Sequence, residues 1–526
     1  MGKSSRWLLL IAPAALLLAI VVVLIVFATS QPSVSSDSTA LAKVDMALGG
    51  GKILSVRVTG PTGREIPVTL SRGRIVPKVE LRPNERVSIV AIVKRPGWIG
   101  WLAGSRDKES LSLYTPTASL DDQYLTLASG APLRLTFSHP VSTFAYGHPG
   151  SLTHHTFQQA QTDVTIARPS PAGTLAVAAS PRAWESASTT LVTWFPAGAP
   201  TSAVTNPAPG ARITASTPIT LTFSKPYSDI LGATMPKVSP DPPGHWISLD
   251  SHTIEFKPTG YGFGLGTSVS VGLPSGVQVV DAQSGAASGA SWTVPQGSSL
   301  RVNEILAQLG YLPLRWRAAG HHVALTPAAQ LSAAVKPPSG HFAWIYGDTP
   351  ASLEAQWDPN HQTVVTQGAL MAFEQDQGMY GDNPPPAQVW HALITAAIKD
   401  QRSSFGYTYV MVSEGSPESL NLWHNGRTVL TTPVNTGIPQ APTATGTYPV
   451  FEHVPVTTMT GVNPDGTPYS DPGIPWVSYF NGGDALHGFL RASYGFAQSL
   501  GCVEMPYSTA GQVYPYTPIG TLVNVE

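Results

Sequence analysis

Cysteine is almost absent. Cys502 stands alone in 526 residues. A single thiol excludes both an internal disulfide framework and a multi-cysteine zinc centre. No HExxH pattern occurs either, so no metal and no cofactor are expected. Charge is scarce: Asp, Glu, Lys and Arg make up 12% of the chain, with a formal net charge of −2. Without a long basic block, nucleic acid is not an expected partner. The one long apolar run is Trp7 to Phe27, WLLLIAPAALLLAIVVVLIVF. Its length of about 20 residues crosses roughly 30 Å of hydrocarbon as a helix. Lys3 and Arg6 precede it and the next charge is Asp37. The positive-inside rule then predicts an anchor in residues 1–30, with residues 31–526 outside the cell membrane. A cleaved signal peptide ending at Ala28-Thr29-Ser30 is the competing reading, but the run exceeds the roughly 7–15 residues of a signal core. Exported cysteines usually pair. An exported lone thiol is therefore either buried and inert or exposed and used.

Glycine and proline are plentiful, 49 of each, and 42% of residues are hydrophobic. That balance predicts β-domains joined by many turns and argues against disorder. The length implies several domains. Residues 31–44 are Ser/Thr-rich and predict a linker. From there strand signals recur, as in ILSVRVTG (53–60), REIPVTLS (64–71) and ERVSIVAIV (85–93), and predict a β-sandwich over 45–118. A repeat follows. Ala131 to Pro140, APLRLTFSHP, returns as Thr217 to Pro226, TPITLTFSKP. Alternation puts Leu133, Leu135 and Phe137, and likewise Ile219, Leu221 and Phe223, on one strand face. The pattern resembles tandem bacterial Ig-like domains, here 119–200 and 201–297, which implies spacers.

The period then changes. Val302, Ile305, Leu306 and Leu309 have helical spacing and stop at Gly310. Leu370 and Phe373 mark a second helix ending at Gly378, and Val389, Trp390, Leu393 and Ile394 a third. Residues 298–402 resemble a peptidoglycan-binding-like three-helix domain, with a long insertion at about 317–365.

From about Ser404 strands return. YTYVMVS (407–413) and SLNLWHNG (419–426) predict a hairpin with Asn425-Gly426 as its turn. Val434-Asn435-Thr436-Gly437, Pro442 to Tyr448, Tyr479-Phe480 through His487-Gly488, and Ser499-Leu500-Gly501-Cys502-Val503 follow in order. This succession over 403–526 resembles the YkuD-like L,D-transpeptidase catalytic domain. Two positions depart from that family: Leu500 stands for its usual His, and Glu504 for its usual Arg. The second change leaves recognition of a substrate carboxylate in question, because a guanidinium is the natural fork for one.

The residues also argue on their own. A thiolate is the nucleophile, and an imidazole can take the thiol proton. Cys502 is the expected nucleophile and His487 the general base and acid. Backbone N–H groups near Gly501 and Cys502 would receive the oxyanion. Ser499, Tyr479 and Glu504 are possible substrate-side groups. His424 and His453 are expected to be structural. The resemblance implies that the Gly488 region orients His487 by a backbone carbonyl. It further implies donor tetrapeptide and acceptor stems of peptidoglycan as partners, and carbapenem-type β-lactams as covalent inhibitors. The expected fold class is a multidomain, mainly β chain: transmembrane helix, tandem Ig-like sandwiches, three-helix domain and β-rich catalytic domain. An L,D-carboxypeptidase with the same nucleophile, or a non-catalytic wall-binding scaffold, are the alternatives.

Overall fold

Short β-branched runs broken by Gly and Pro make strand the commonest regular structure among the described residues. The computed structural model describes residues 16–25, 31–46, 50–97, 100, 104–198, 201–280 and 287–526. Most of the 7–27 run, and the 28–30 cleavage signal, lie outside the described residues. Residues 16–25 are helical and exposed. Among the described residues no helix is long and apolar enough to cross a membrane.

The chain forms two compact units, and residues 201–297 contribute to both. In the first, Ser33–Ser36, Ala42–Asp45, Arg74–Pro77 and Val68–Ser71 form a four-stranded sheet. A second, antiparallel sheet joins Lys52–Thr59, Arg86–Lys94 and Arg106–Tyr114. Leu41, Ala42, Val44, Ile75 and Ile89 share one core. Residues 31–44 are thus not the expected linker. Leu41 and the alternating Ala42 and Val44 supply inward side chains, and Asp37 accepts from the N–H groups of Thr39 and Ala40 to set the turn. The next sheet of this unit has five strands, in the order Ser151–Ile166, Leu133–His148, Gly173–Ser180, Ser188–Pro196 and Tyr124–Leu127. The apolar residues of both repeat copies are buried. The first copy continues as strand to His148, whereas the second ends at Phe223 and is followed by the helix Tyr227–Leu231.

The second unit holds the helices that follow residue 226. Ser299–Gln308, Val364–Asp376 and Pro386–Lys399 occupy the three expected positions. Gly310 (φ 82°) and Gly378 (φ 67°) adopt the left-handed conformation that ends the first two. The inserted stretch folds as the helix Pro327–Val335 between two antiparallel strands, Leu314–Ala318 and Gly340–Trp344. This helical region packs on the C-terminal sheets. Tyr380 donates to the Phe451 carbonyl (2.7 Å), and the Trp423 indole to the Asp348 carbonyl (3.0 Å). A glycine at 368 lets its helix meet the Gly520 backbone, where a Cβ would collide with the carbonyl.

Two sheets follow. One has the order Arg427–Pro433, Ser419–His424, Thr408–Ser413, Leu522–Val525 and Gly446–Pro449. The other runs Glu452–Val462, Pro468–Asn481, Asp484–Gly488 and Val503–Met505. Val410, Leu422, Leu486, Val503 and Val523 belong to the core they share. The strands 408–413 and 419–424 pair as expected, but Asn425-Gly426 is not their turn. With φ of 48° and 86°, those two residues join His424 to Arg427 in the following hairpin.

Candidate active site

The short strand Asp484–Gly488 carries His487, and Val503–Met505 starts one residue after Cys502. The two strands are parallel, with Leu486 opposite Val503 and His487 opposite Glu504. Side chains alternate across a sheet. Leu486 and Val503 therefore point into the core, while His487 and Glu504 share the other face. Tyr479 lies opposite Ala485 on the neighbouring strand. Tyr479, Ala485 and Cys502 pack in one apolar cluster.

His487 is buried, and its Nδ1 lies 3.0 Å from the Gly488 carbonyl. A carbonyl only accepts, so Nδ1 carries the proton and Nε2 keeps its lone pair. Burial pushes the imidazole pKa down; the Gly488 bond and the Glu504 charge oppose this. Cys502 is partly exposed, and its thiol donates to the Gly483 carbonyl at 3.6 Å. Protein encloses the sulfur closely enough that burial pushes its pKa up to about 12. A backbone hydrogen bond from Ala485 works against that rise, and the Asp484 and Glu504 charges add to it. The resting pair is therefore neutral thiol and neutral imidazole.

The loop before Cys502 is held by backbone. Gln498 and Ser499 both donate to the Thr436 carbonyl at 2.9 Å, and Ile438 donates to Ser499. Asn435 and Glu504 exchange two backbone bonds. The Val434-Asn435-Thr436-Gly437 motif is the ladder on which the thiol loop rests. Ser499 is buried and its hydroxyl donates to the Cys502 carbonyl at 2.5 Å. It faces inward rather than toward a substrate. Gly501 has φ 114°, and a Cβ there would collide with Asp484 Oδ1. Tyr479 is half-buried, and burial raises its hydroxyl pKa. Glu504 is buried in an ion pair with Arg491: Nε–Oε2 and Nη2–Oε1 are both 2.7 Å. His453 stacks on Tyr514 at 3.8 Å, and His424 packs edge-on against Tyr516; both lie in local aromatic clusters.

Sequence reasoning missed Asp484 and Arg491. Asp484 accepts from the Ala444 N–H (3.1 Å) and abuts Gly501; burial raises its pKa. The signal for Arg491 was present: residues 403–526 contain two arginines, Arg427 and Arg491, and no lysine.

Residues 407–525 match the family model of the L,D-transpeptidase catalytic domain, YkuD. The C-terminal sheets are a YkuD domain. No curated protein matches the chain. Among solved structures, the catalytic domain from E. faecium L,D-transpeptidase acylated by ertapenem is 27% identical. That match covers 23% of this chain and 97% of that one, with a TM-score of 0.21. The L,D-transpeptidase from Mycobacterium smegmatis is 12% identical over 62% of this chain and 99% of its own, at a TM-score of 0.20. L,D-transpeptidase 3 from Mycobacterium tuberculosis with a faropenem-derived adduct is 12% identical over 61% and 96%, also at 0.20. The YkuD domain accounts for the order of the C-terminal motifs. Residues 1–406 lie outside the matched segment.

Proposed function

We propose that this chain is an L,D-transpeptidase that cross-links or remodels peptidoglycan through a thioester on Cys502. The observation that carries the reading is the parallel pairing of Asp484–Gly488 with Val503–Met505, which sets Cys502 just ahead of the strand that pairs with His487, whose Nδ1 is committed to the Gly488 carbonyl. A raised thiol and a lowered imidazole make a preformed ion pair unfavourable. The proton therefore moves from Sγ to Nε2 as sulfur attacks the carbonyl of the diamino acid in the donor tetrapeptide. Backbone N–H groups near Gly501 and Cys502 receive the oxyanion. The C–N bond breaks, and the His487 imidazolium gives its proton to the amine of the departing D-Ala. An acceptor stem's side-chain amine then attacks the thioester and passes a proton to Nε2. The new amide forms as sulfur leaves, and the thiol is reprotonated. Carbapenem-type β-lactams, which offer a strained acyl carbonyl, would acylate the same thiol. The apolar run 7–27 is read as the anchor that keeps this chemistry outside a cell membrane, a role its composition and flanking charges support.

The test is incubation of the full chain with a disaccharide tetrapeptide, alongside a Cys502→Ala control, with products read by mass spectrometry. Cross-linked dimer that requires Cys502 is the expected result. D-Ala release without dimer would make the protein an L,D-carboxypeptidase. Absence of product and of any acyl adduct would turn the reading to a wall-binding scaffold.

A further inference from the structure

Residues 403–526 contain eight carboxylate side chains against two arginines. Arg427 is exposed in the turn beside His424, in the sheet that does not carry Cys502. The one other permanent cation of this segment is Arg491. Arg491 is also unusually well fixed. Its Nε and Nη2 grip Glu504, and Nη2 also donates to the Gln498 carbonyl at 3.2 Å. Its guanidinium lies over the Phe489 ring, 4.5 Å from the centroid. Its backbone N–H donates to the Tyr494 hydroxyl (3.1 Å), which itself donates to the Phe489 carbonyl (2.6 Å). Nη1 lies outside these bonds, and the side chain keeps 30% of its exposure. A guanidinium held this way has little rotamer freedom left to lose on binding an anion.

Its location selects the anion. Glu504 is the cross-strand partner of His487, and the Phe489 ring lies 6.0 Å from the imidazole, edge to face. Arg491 is thus a charged neighbour of the imidazole. In the proposed reaction His487 protonates the leaving amine, and in an amino-acid leaving group one carbon separates that amine from its carboxylate. We propose that Arg491, anchored by Glu504, is a specificity-determining residue that binds the terminal carboxylate of the donor stem. The inference rests on the transpeptidase reading for the identity of the leaving group. Glu504 is then the anchor of the site's cation and does not itself contact substrate.

The experiment is calorimetric binding of a stem tetrapeptide, and of the same peptide amidated at its C-terminus, to the full chain carrying Cys502→Ala. The acid is expected to bind about tenfold tighter than the amide, the size of one charge-assisted pair. Adding Arg491→Gln with Glu504→Gln, which replaces the buried ion pair by a neutral one, should bring the ratio near one. Arg491→Lys should keep part of it. Equal binding of acid and amide by the parent, no measurable binding of either, or a ratio unchanged in the paired variant would overturn the proposal. The acid–amide comparison in the parent needs no variant at Arg491 to fold. The readout needs no turnover, so a protein that prefers the acid yet makes no cross-link would fault the transpeptidase reading alone.

Discussion

The protons of Cys502 and His487 are governed by what encloses each side chain. Burial drives the thiol up and the imidazole down, so in the free protein the Cys502 thiol stays protonated. Below a pKa of about 12 the thiolate fraction grows about tenfold per pH unit. Alkylation of Cys502 by iodoacetamide should accordingly be slow at neutral pH and climb steadily through pH 10, and a plateau near pH 8 would contradict this. Gly501→Ala meets two obstacles, a positive φ and the Asp484 carboxylate. It is expected to cost about 1–3 kcal/mol in a denaturant titration and to abolish acylation. Asp484→Ala in the same chain should recover part of the stability by removing the collision, but not the backbone part.

Between elements, register does what residue identity cannot. The pairing of His487 with Glu504 makes Glu504 and Arg491 electrostatic neighbours of the imidazole. Three charges bear on His487: Glu504 and Asp471 raise its pKa, and Arg491 lowers it. Arg491→Gln alone should thus raise the imidazole midpoint from its depressed position, because a lowering charge is lost and Glu504 is unmasked. An NMR titration of the His487 ring would show it, and a downward move would refute the assignment. Ser499→Ala removes the bond that holds the Cys502 carbonyl. About 1–2 kcal/mol of stability should go with it, as a buried acceptor loses its donor, together with a larger fall in kcat than in peptide affinity. From the sequence alone Ser499 reads equally well as a substrate contact, since direction within a loop is not written in composition.

At the scale of the molecule, the three helices were visible from their 3.6-residue period and, for the first two, from glycine stops. The strands inside 31–44 were not, because four-residue strands of small residues look like linker until a core closes over Leu41 and Val44. The role of the helical region was equally hidden. It packs on the catalytic sheets through Tyr380, Trp423 and the Gly368–Gly520 approach. Gly368→Leu should therefore lower the melting temperature of the C-terminal unit by several degrees and reduce acylation of Cys502, though residue 368 is outside the YkuD domain. Unchanged melting would mean the helical region contributes little to holding that sheet.

The sequence by itself determined the mainly β character, the repeat at 131–140 and 217–226, and the order of motifs ending at Cys502. These are properties of periodicity and residue chemistry, which a linear chain displays. Only the tertiary structure decided that Glu504 is neutralised by Arg491, that Ser499 faces inward, and that Asp484 confronts Gly501. Each of those is a contact made across a loop or between strands, and no local pattern encodes which distant charge will arrive beside a buried one.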